Sequence, residues 1–103
     1  MIENTLRIKE AAEFIKSKNY EKAIKILDVE LEENPNNIYT YYFKGIAQTH
    51  LGIILKQKDF IVSGIQYFDK LIASKRENPY QDFSDAVKKC TWAKQELEKL
   101  EQQ

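Results

Sequence analysis

The stretch Ser17–Asn37, SKNYEKAIKILDVELEENPNN, decides the fold. It reads as a polar turn, an amphipathic helix and a stop. Asn19 stands where a side-chain oxygen caps the first free backbone N–H groups of a helix. Ala23, Ile26/Leu27 and Leu31 follow at three- and four-residue steps and make one apolar stripe. Pro35 has no N–H to give and clashes with the preceding turn, so the helix ends near Asn34. A similar device returns about forty residues later, where Asp59-Phe60 precedes a second stripe. A repeat of that kind fixes an architecture before any single residue does.

Working outward, 103 residues make one domain, 1–103, with room for a modest core. The chain is 43% hydrophobic and 31% charged with three Gly and two Pro, which suits helices and leaves few turn residues for an all-β fold. Sixteen basic residues balance sixteen acidic ones. A neutral chain has no global field to gather phosphates, so nucleic acid is excluded as a partner class. The charge is uneven. Residues 19–34 hold two Lys against five acids, whereas residues 35–58 hold Lys44, Lys56 and Lys58 and no acid. That is the pattern of a solvated acidic helix beside a mostly buried one. Cys90 is the only cysteine, so no internal disulfide forms, and a reducing, cytoplasmic setting is expected. The segment Asn36–Leu55 is poor in charge but carries Asn, Thr, Tyr, Gln and His, which hydrocarbon would leave unsatisfied. It is expected to be a central buried helix, not a membrane span.

Five helices are expected. The first runs over about 4–16 with Leu6, Ala11, Phe14 and Ile15 inward, and the second over about 20–33. The third, about 37–57, contains Gly45 and Gly52. The fourth, capped by Asp59, runs over about 60–74 with Ile61, Ile65, Phe68 and Leu71/Ile72 as its stripe. After a loop at 75–79, the last runs over about 80–100 with Phe83, Val87, Cys90, Ala93/Lys94, Leu97 and Leu100 inward.

The spacings Ala11 to Gly45 (34 residues), Asn19-Tyr20 to Asp59-Phe60 (40) and Pro35 to Pro79 (44) describe a repeat that lengthens as it goes. On these residues the chain resembles the tetratricopeptide (TPR) family, whose 34-residue unit is a helical hairpin. Ala11, Phe14, Ala23, Leu27 and Pro35 match in the first unit, although Arg7 replaces the opening aromatic. Tyr41, Gly45, Asp59-Phe60 and Tyr67 match in the second, with Ser63 for the small alanine. The resemblance implies an all-α, right-handed superhelical stack: a hairpin over 4–34, an elongated hairpin over 37–75 and a capping helix over 80–101. It implies that Ala11, Ala23, Gly45 and Ser63 lie where helices approach closely, and that a polar-faced last helix ends the stack.

The resemblance also implies a concave binding surface made by the first helix of each hairpin. Its positions are Thr5, Ile8, Ala12 and Lys16 on the first helix, and Tyr39, Tyr42, Phe43, Ile46, Thr49 and His50 on the third. Lys88, Thr91 and Trp92 follow on the last. The family's two-carboxylate clamp for acidic chaperone tails would fall on Ile8, Ala12 and Phe43, which cannot hold a carboxylate. An aromatic and aliphatic groove remains, with Tyr39, Tyr42, His50 and Trp92 as rings with one polar edge. The expected partner is an apolar or amphipathic peptide, or a partner helix. The same rings on a central helix also suit a core role. His50 without a second His, and with one distant Cys, makes no metal site. Cys90 in an apolar stripe makes no nucleophile, and no phosphate loop or carboxylate pair appears. The expectation is a protein-interaction module without catalysis, cofactor or metal. Its alternative is a structural unit that self-associates as a homo-oligomer through exposed helix edges such as Leu97/Leu100.

Overall fold

Thr5 opens the first helix: its hydroxyl accepts from the Ile8 N–H at 3.2 Å, which satisfies a donor the helix itself leaves free. The computed structural model describes residues 5–103, so the expected start at Asn4 lies outside the described residues. Helix α1 spans Leu6–Lys16, α2 Tyr20–Glu33, α3 Ile38–Leu55, α4 Lys58–Ala73 and α5 Ser84–Glu101. One 3-10 turn, Ser74–Arg76, follows α4. No strand occurs among the described residues, and the five helices pack on one another.

Both helical hairpins close through a lysine in the left-handed region. After α1, Lys18 has φ 63°, the Asn19 N–H donates to Phe14 O at 2.7 Å and the Lys18 N–H to Ile15 O at 3.0 Å. After α3, Lys56 has φ 55°, the Gln57 N–H donates to Gly52 O at 3.0 Å and the Lys56 N–H to Ile53 O at 3.3 Å. These paired bonds are the Schellman closure. They offset the roughly 1–2 kcal/mol that a side chain costs in the left-handed region. The turns correct two expected caps. Asn19 stands at the start of α2, but its side chain makes no capping bond. Helix α4 begins at Lys58, two residues earlier than expected, so Asp59 lies in its first turn and meets the helix dipole as a charge. The last helix, by contrast, starts later than expected, at Ser84, whose N–H donates to Asp82 Oδ1 at 2.9 Å.

The buried faces repeat more exactly than the letters do. Tyr20, Ala23, Leu27 and Glu30 are buried on α2, and Ile61, Gly64, Phe68 and Leu71 at the same steps on α4. Burial therefore relates the two helices by an offset of 41, where the sequence alignment takes 40. The single residue matters, because it moves the small contact position from Ser63, half-buried, to Gly64, buried. A methyl group on Gly64 would stand 2.3 Å from Thr49 Oγ1 and 2.9 Å from Gly45 O. One on Gly45 would stand 2.6 Å from the Phe68 ring. On α5 the buried row includes Ala86, Cys90 and Ala93, and the expected Val87 is exposed. Leu6, also expected inward, lies on the side of α1 away from Ile8 and Ala11 and is exposed.

Each helix packs on the next, and α1 and α5 both touch α3. Ile8, Ala11, Ala23, Leu27 and Ala47 form the core of the first hairpin, and Ile46, Ile61, Phe68, Cys90 and Ala93 that of the second. Two charged groups are buried with them. Glu30 accepts from Thr5 Oγ1 at 3.2 Å, Arg7 at 3.3 Å, Asn34 at 3.0 Å and Asn37 at 3.1 Å. Burial by itself would raise its pKa, but the bonds from Asn37, Arg7, Asn34 and Thr5 outweigh it and hold the carboxyl below its ordinary value. Lys44 donates to Asp28 and to Tyr67 Oη, so it joins α2, α3 and α4.

Gly64→Ala is expected to destabilise the chain by about 1–3 kcal/mol in urea unfolding, because overpacking against Thr49 exceeds the helix-propensity gain. Glu30→Ala is expected to cost about 3 kcal/mol by removing the buried acceptor shared by Thr5, Arg7, Asn34 and Asn37. Since the folded pKa of Glu30 is depressed, its contribution is present above the ordinary value of 4.5 and is lost as pH falls through the folded value. The acid side of the urea-midpoint profile should therefore flatten in the variant.

Candidate functional site

Helix α3 is apolar and covered over most of its circumference. Thr40, Lys44, Gly45, Ala47, Thr49, Leu51 and Gly52 are all buried, because neighbouring helices touch it on several sides. Among the side chains that remain partly open are the rings of Tyr39, Tyr42, Phe43 and His50. Tyr39, Phe43 and His50 follow at steps of four and seven residues on one side of the helix, with Tyr42 beside Phe43. Helix α5 brings Trp92 to this row, and the start of α2 brings Tyr20.

The rings form two contiguous groups. Tyr20 and His50 stack nearly parallel, centroids 4.8 Å apart and planes 7° apart. Trp92 lies against the other side of His50 at 4.9 Å, tilted by 52°. The second group is Tyr42 edge-on to Phe43 at 5.1 Å and 76°. Such geometries match the ring quadrupoles and add to the area they bury. Beyond Tyr42 the surface opens into a hollow of about 160 Å³ between the starts of α3 and α5, lined among others by Tyr39, Tyr42, Leu71, Phe83, Asp82 and Asp85.

The electrostatics of the site are set by burial and neighbours. His50 has its pKa lowered, chiefly by burial and further by Lys89 and Lys18, with Glu96 opposing. It is a neutral ring in a stack at neutral pH. The Tyr42 hydroxyl donates to Asp85 Oδ2. Burial first, then that bond and the Asp85 charge, push its pKa well up, so Tyr42 keeps its proton. Lys89 approaches the same carboxylate at 3.8 Å.

The residues expected to line a groove separate clearly. Tyr39 and Tyr42 meet at the hollow, and His50 and Trp92 meet in the stack. Ile8, at 1% exposure, and Ile46, at 8%, are core residues with no surface to present. They lie on the faces by which α1 and α3 join their hairpins. Phe43 is half-buried and packs against both cores. Ala12 is half-buried, and Lys88 is exposed outside both ring groups. Of the remaining positions, Thr5 caps α1, Thr49 is buried and donates to Gly45 O at 2.7 Å, and Thr91 donates to Val87 O at 3.1 Å. Lys16 pairs with Glu13 at 3.9 Å on the surface.

Sequence reasoning missed Tyr20, Asp82 and Asp85. The two aspartates had a signal: D-F-S-D is a polar bracket around one aromatic, the form of a helix start. The Cys90 thiol is buried in the second core 3.6 Å from Asp69 Oδ1, and burial raises its pKa, which disfavours the thiolate. Among the described residues no three His, Cys, Asp or Glu side chains converge as a metal site, and no helix is long and apolar enough to cross a membrane. Comparisons with protein-family models, with curated proteins and with solved structures return no match.

Because the folded pKa of His50 lies below its ordinary 6.5, the unfolded chain binds the proton more readily. Stability from this site is present above pH 6.5 and is lost as pH falls below it. Thermal melting followed from neutral to mildly acid pH should show that loss, and His50→Phe, which keeps a ring between Tyr20 and Trp92, should reduce it.

Proposed function

We propose that this chain is a protein-interaction module of TPR-like build that holds a peptide or a partner helix on the face shared by α1, α3 and α5. The observation that carries the reading is the line of half-buried rings along that face, from Tyr39 and Tyr42 at the hollow to His50 and Trp92. Amphipathic rings that are rigid and partly desolvated in advance cost little entropy to bind with, and they dominate interface energetics.

The build is supported by the order of contacts, each helix on the next and the odd-numbered helices also touching through α3. The outline agrees. The molecule measures 42 × 28 × 20 Å, and an 18-residue helix such as α3 is about 27 Å long. The 28 Å extent leaves room for helices of that length set across the 42 Å axis, as in a row of hairpins. The replaced clamp sets the partner chemistry apart from acidic tails, since Ile8 is core and Ala12 and Phe43 offer no donor side chain. No catalytic group or cofactor enters the proposal. A reducing compartment such as the cytoplasm suits its single, buried thiol.

The reading is tested by capture from a cell lysate with the intact chain and mass spectrometry. Tyr39→Ala and Trp92→Ala are each expected to weaken a captured partner by about 1–2 kcal/mol or more, roughly tenfold, while Lys25→Ala on exposed α2 leaves it unchanged. Capture unaffected by either ring removal defeats the proposal. Sedimentation that reveals a tight dimer, broken by Trp92→Ala or Leu97→Glu, assigns the face to self-association instead.

A further inference from the structure

The junction of the first three helices is filled from within. Between the end of α2 and the starts of α1 and α3, Glu30 is met by Thr5, Asn34, Asn37 and the guanidinium of Arg7. The corresponding place one hairpin later lies between the end of α4 and the starts of α3 and α5. Leu71 stands on α4 at the step that Glu30 occupies on α2. There the chain leaves the hollow of about 160 Å³.

Its chemistry is specific. Leu71, Phe83 and the rings of Tyr39 and Tyr42 make apolar walls, and the charged groups that line it are the carboxylates of Asp82 and Asp85. No lining residue is basic. Asp82 is occupied on one side by the Ser84 N–H, and Asp85 by the Tyr42 hydroxyl, which leaves each carboxylate further acceptor capacity. Lys89 reaches Asp85 only at 3.8 Å, the length of a loose pair, and Lys88 acts weakly on Asp82. Neither lysine lines the hollow.

We propose that this hollow receives an arginine or lysine side chain of a bound peptide, its methylene stem between the rings and its charge at Asp82 and Asp85. This rests on the reading of the α1/α3/α5 face as a peptide-binding surface and adds the partner's chemistry. Long basic side chains bury an apolar stem and keep a charged head at a polar rim, which is the layout found here. Tyr faces attract a cation, and a carboxylate hydrogen-bonded to a cation is among the stronger surface contacts. The first junction shows the same pairing made internally, with Arg7 on Glu30. In the second junction Tyr41 stands one 34-residue step after Arg7, so α3 supplies no arginine there, and of Lys88 and Lys89 only Lys89 pairs with a carboxylate, loosely.

The test is an NMR titration of the intact, ¹⁵N-labelled chain with Nα-acetyl-arginine methylamide, its lysine analogue and the neutral norleucine analogue. Amide shifts at Tyr39, Tyr42, Phe83 and Ala86 are expected with both cations, and much smaller ones with norleucine. Asp82→Asn with Asp85→Asn keeps the acceptor oxygens that serve Ser84 and Tyr42, so the fold is retained in a melting control. The charge is removed, and cation affinity is expected to fall on the order of tenfold. Lys89→Ala, which removes the internal competitor for Asp85, should tighten it. Equal binding of norleucine, or affinity indifferent to the Asn pair, overturns the proposal. A second probe, an amphipathic peptide without basic residues, separates the two readings. Shifts at His50 and Trp92 with that peptide, and none at the hollow with the arginine derivative, leave the peptide-binding face standing and remove the cation assignment. Silence of the whole face to both probes removes both.

Discussion

The rest of the structure depends on how closely α3 and α4 approach. Gly45, Gly52 and Gly64 stand where any Cβ would fall within 3 Å of the facing helix. Their absence of side chain lets Phe68 and Ile61 lie directly over the α3 backbone. Helix α5 then fits against both helices through the small residues Ala86, Cys90 and Ala93. A wider α3–α4 gap would carry α5 away and separate Trp92 from His50. A strip of glycine that costs helix propensity is thus what sets the aromatic face in place.

The interior is unusual in carrying charge at two points. Glu30 is desolvated beside the starts of α1 and α3, whose dipoles favour an anion, and four side-chain donors compensate the loss of water. Lys44 is paired with Asp28, touches Tyr67 Oη and lies 4.5 Å from the centre of the Tyr67 ring. Together these groups tie α1, α2, α3 and α4 through directional bonds, which a purely apolar core does not provide. The opposite charge of residues 19–34 and 35–58 finds its use here: an acid from the first segment and a base from the second meet at Lys44.

Much of the candidate site was legible because an aromatic with a polar edge is informative on any helix face. Tyr39, Tyr42, His50 and Trp92 were visible on that ground, and all four are half-buried on α3 and α5. Ile8 and Ile46 misled for a physical reason. Residues one turn apart on a helix share a stripe, but the stripe is wider than a groove, and its apolar edge belongs to the core. Tyr20 and Asp85 were not legible as site residues, because their roles exist only once α2 and α5 stand beside α3. Asp82 was half legible, as a helix-start residue whose second role depends on the hollow beside it.

The sequence by itself determined the helical class, the number of helices and, within a few residues, their limits. Those are set by apolar periodicity, proline and glycine, which act along the chain at short range. Only the tertiary structure decided the offset of 41 that replaces Ser63 with Gly64, the burial of Glu30 and Lys44, and the hollow at Asp82 and Asp85. Each of these depends on which turn of one helix meets which turn of another. That register is fixed by the volumes and polar partners of residues far apart in the chain. The Ser17–Asn37 segment accordingly announces one helix and its ends, while the buried glutamate at its far end acquires its meaning from Thr5, Arg7 and Asn37.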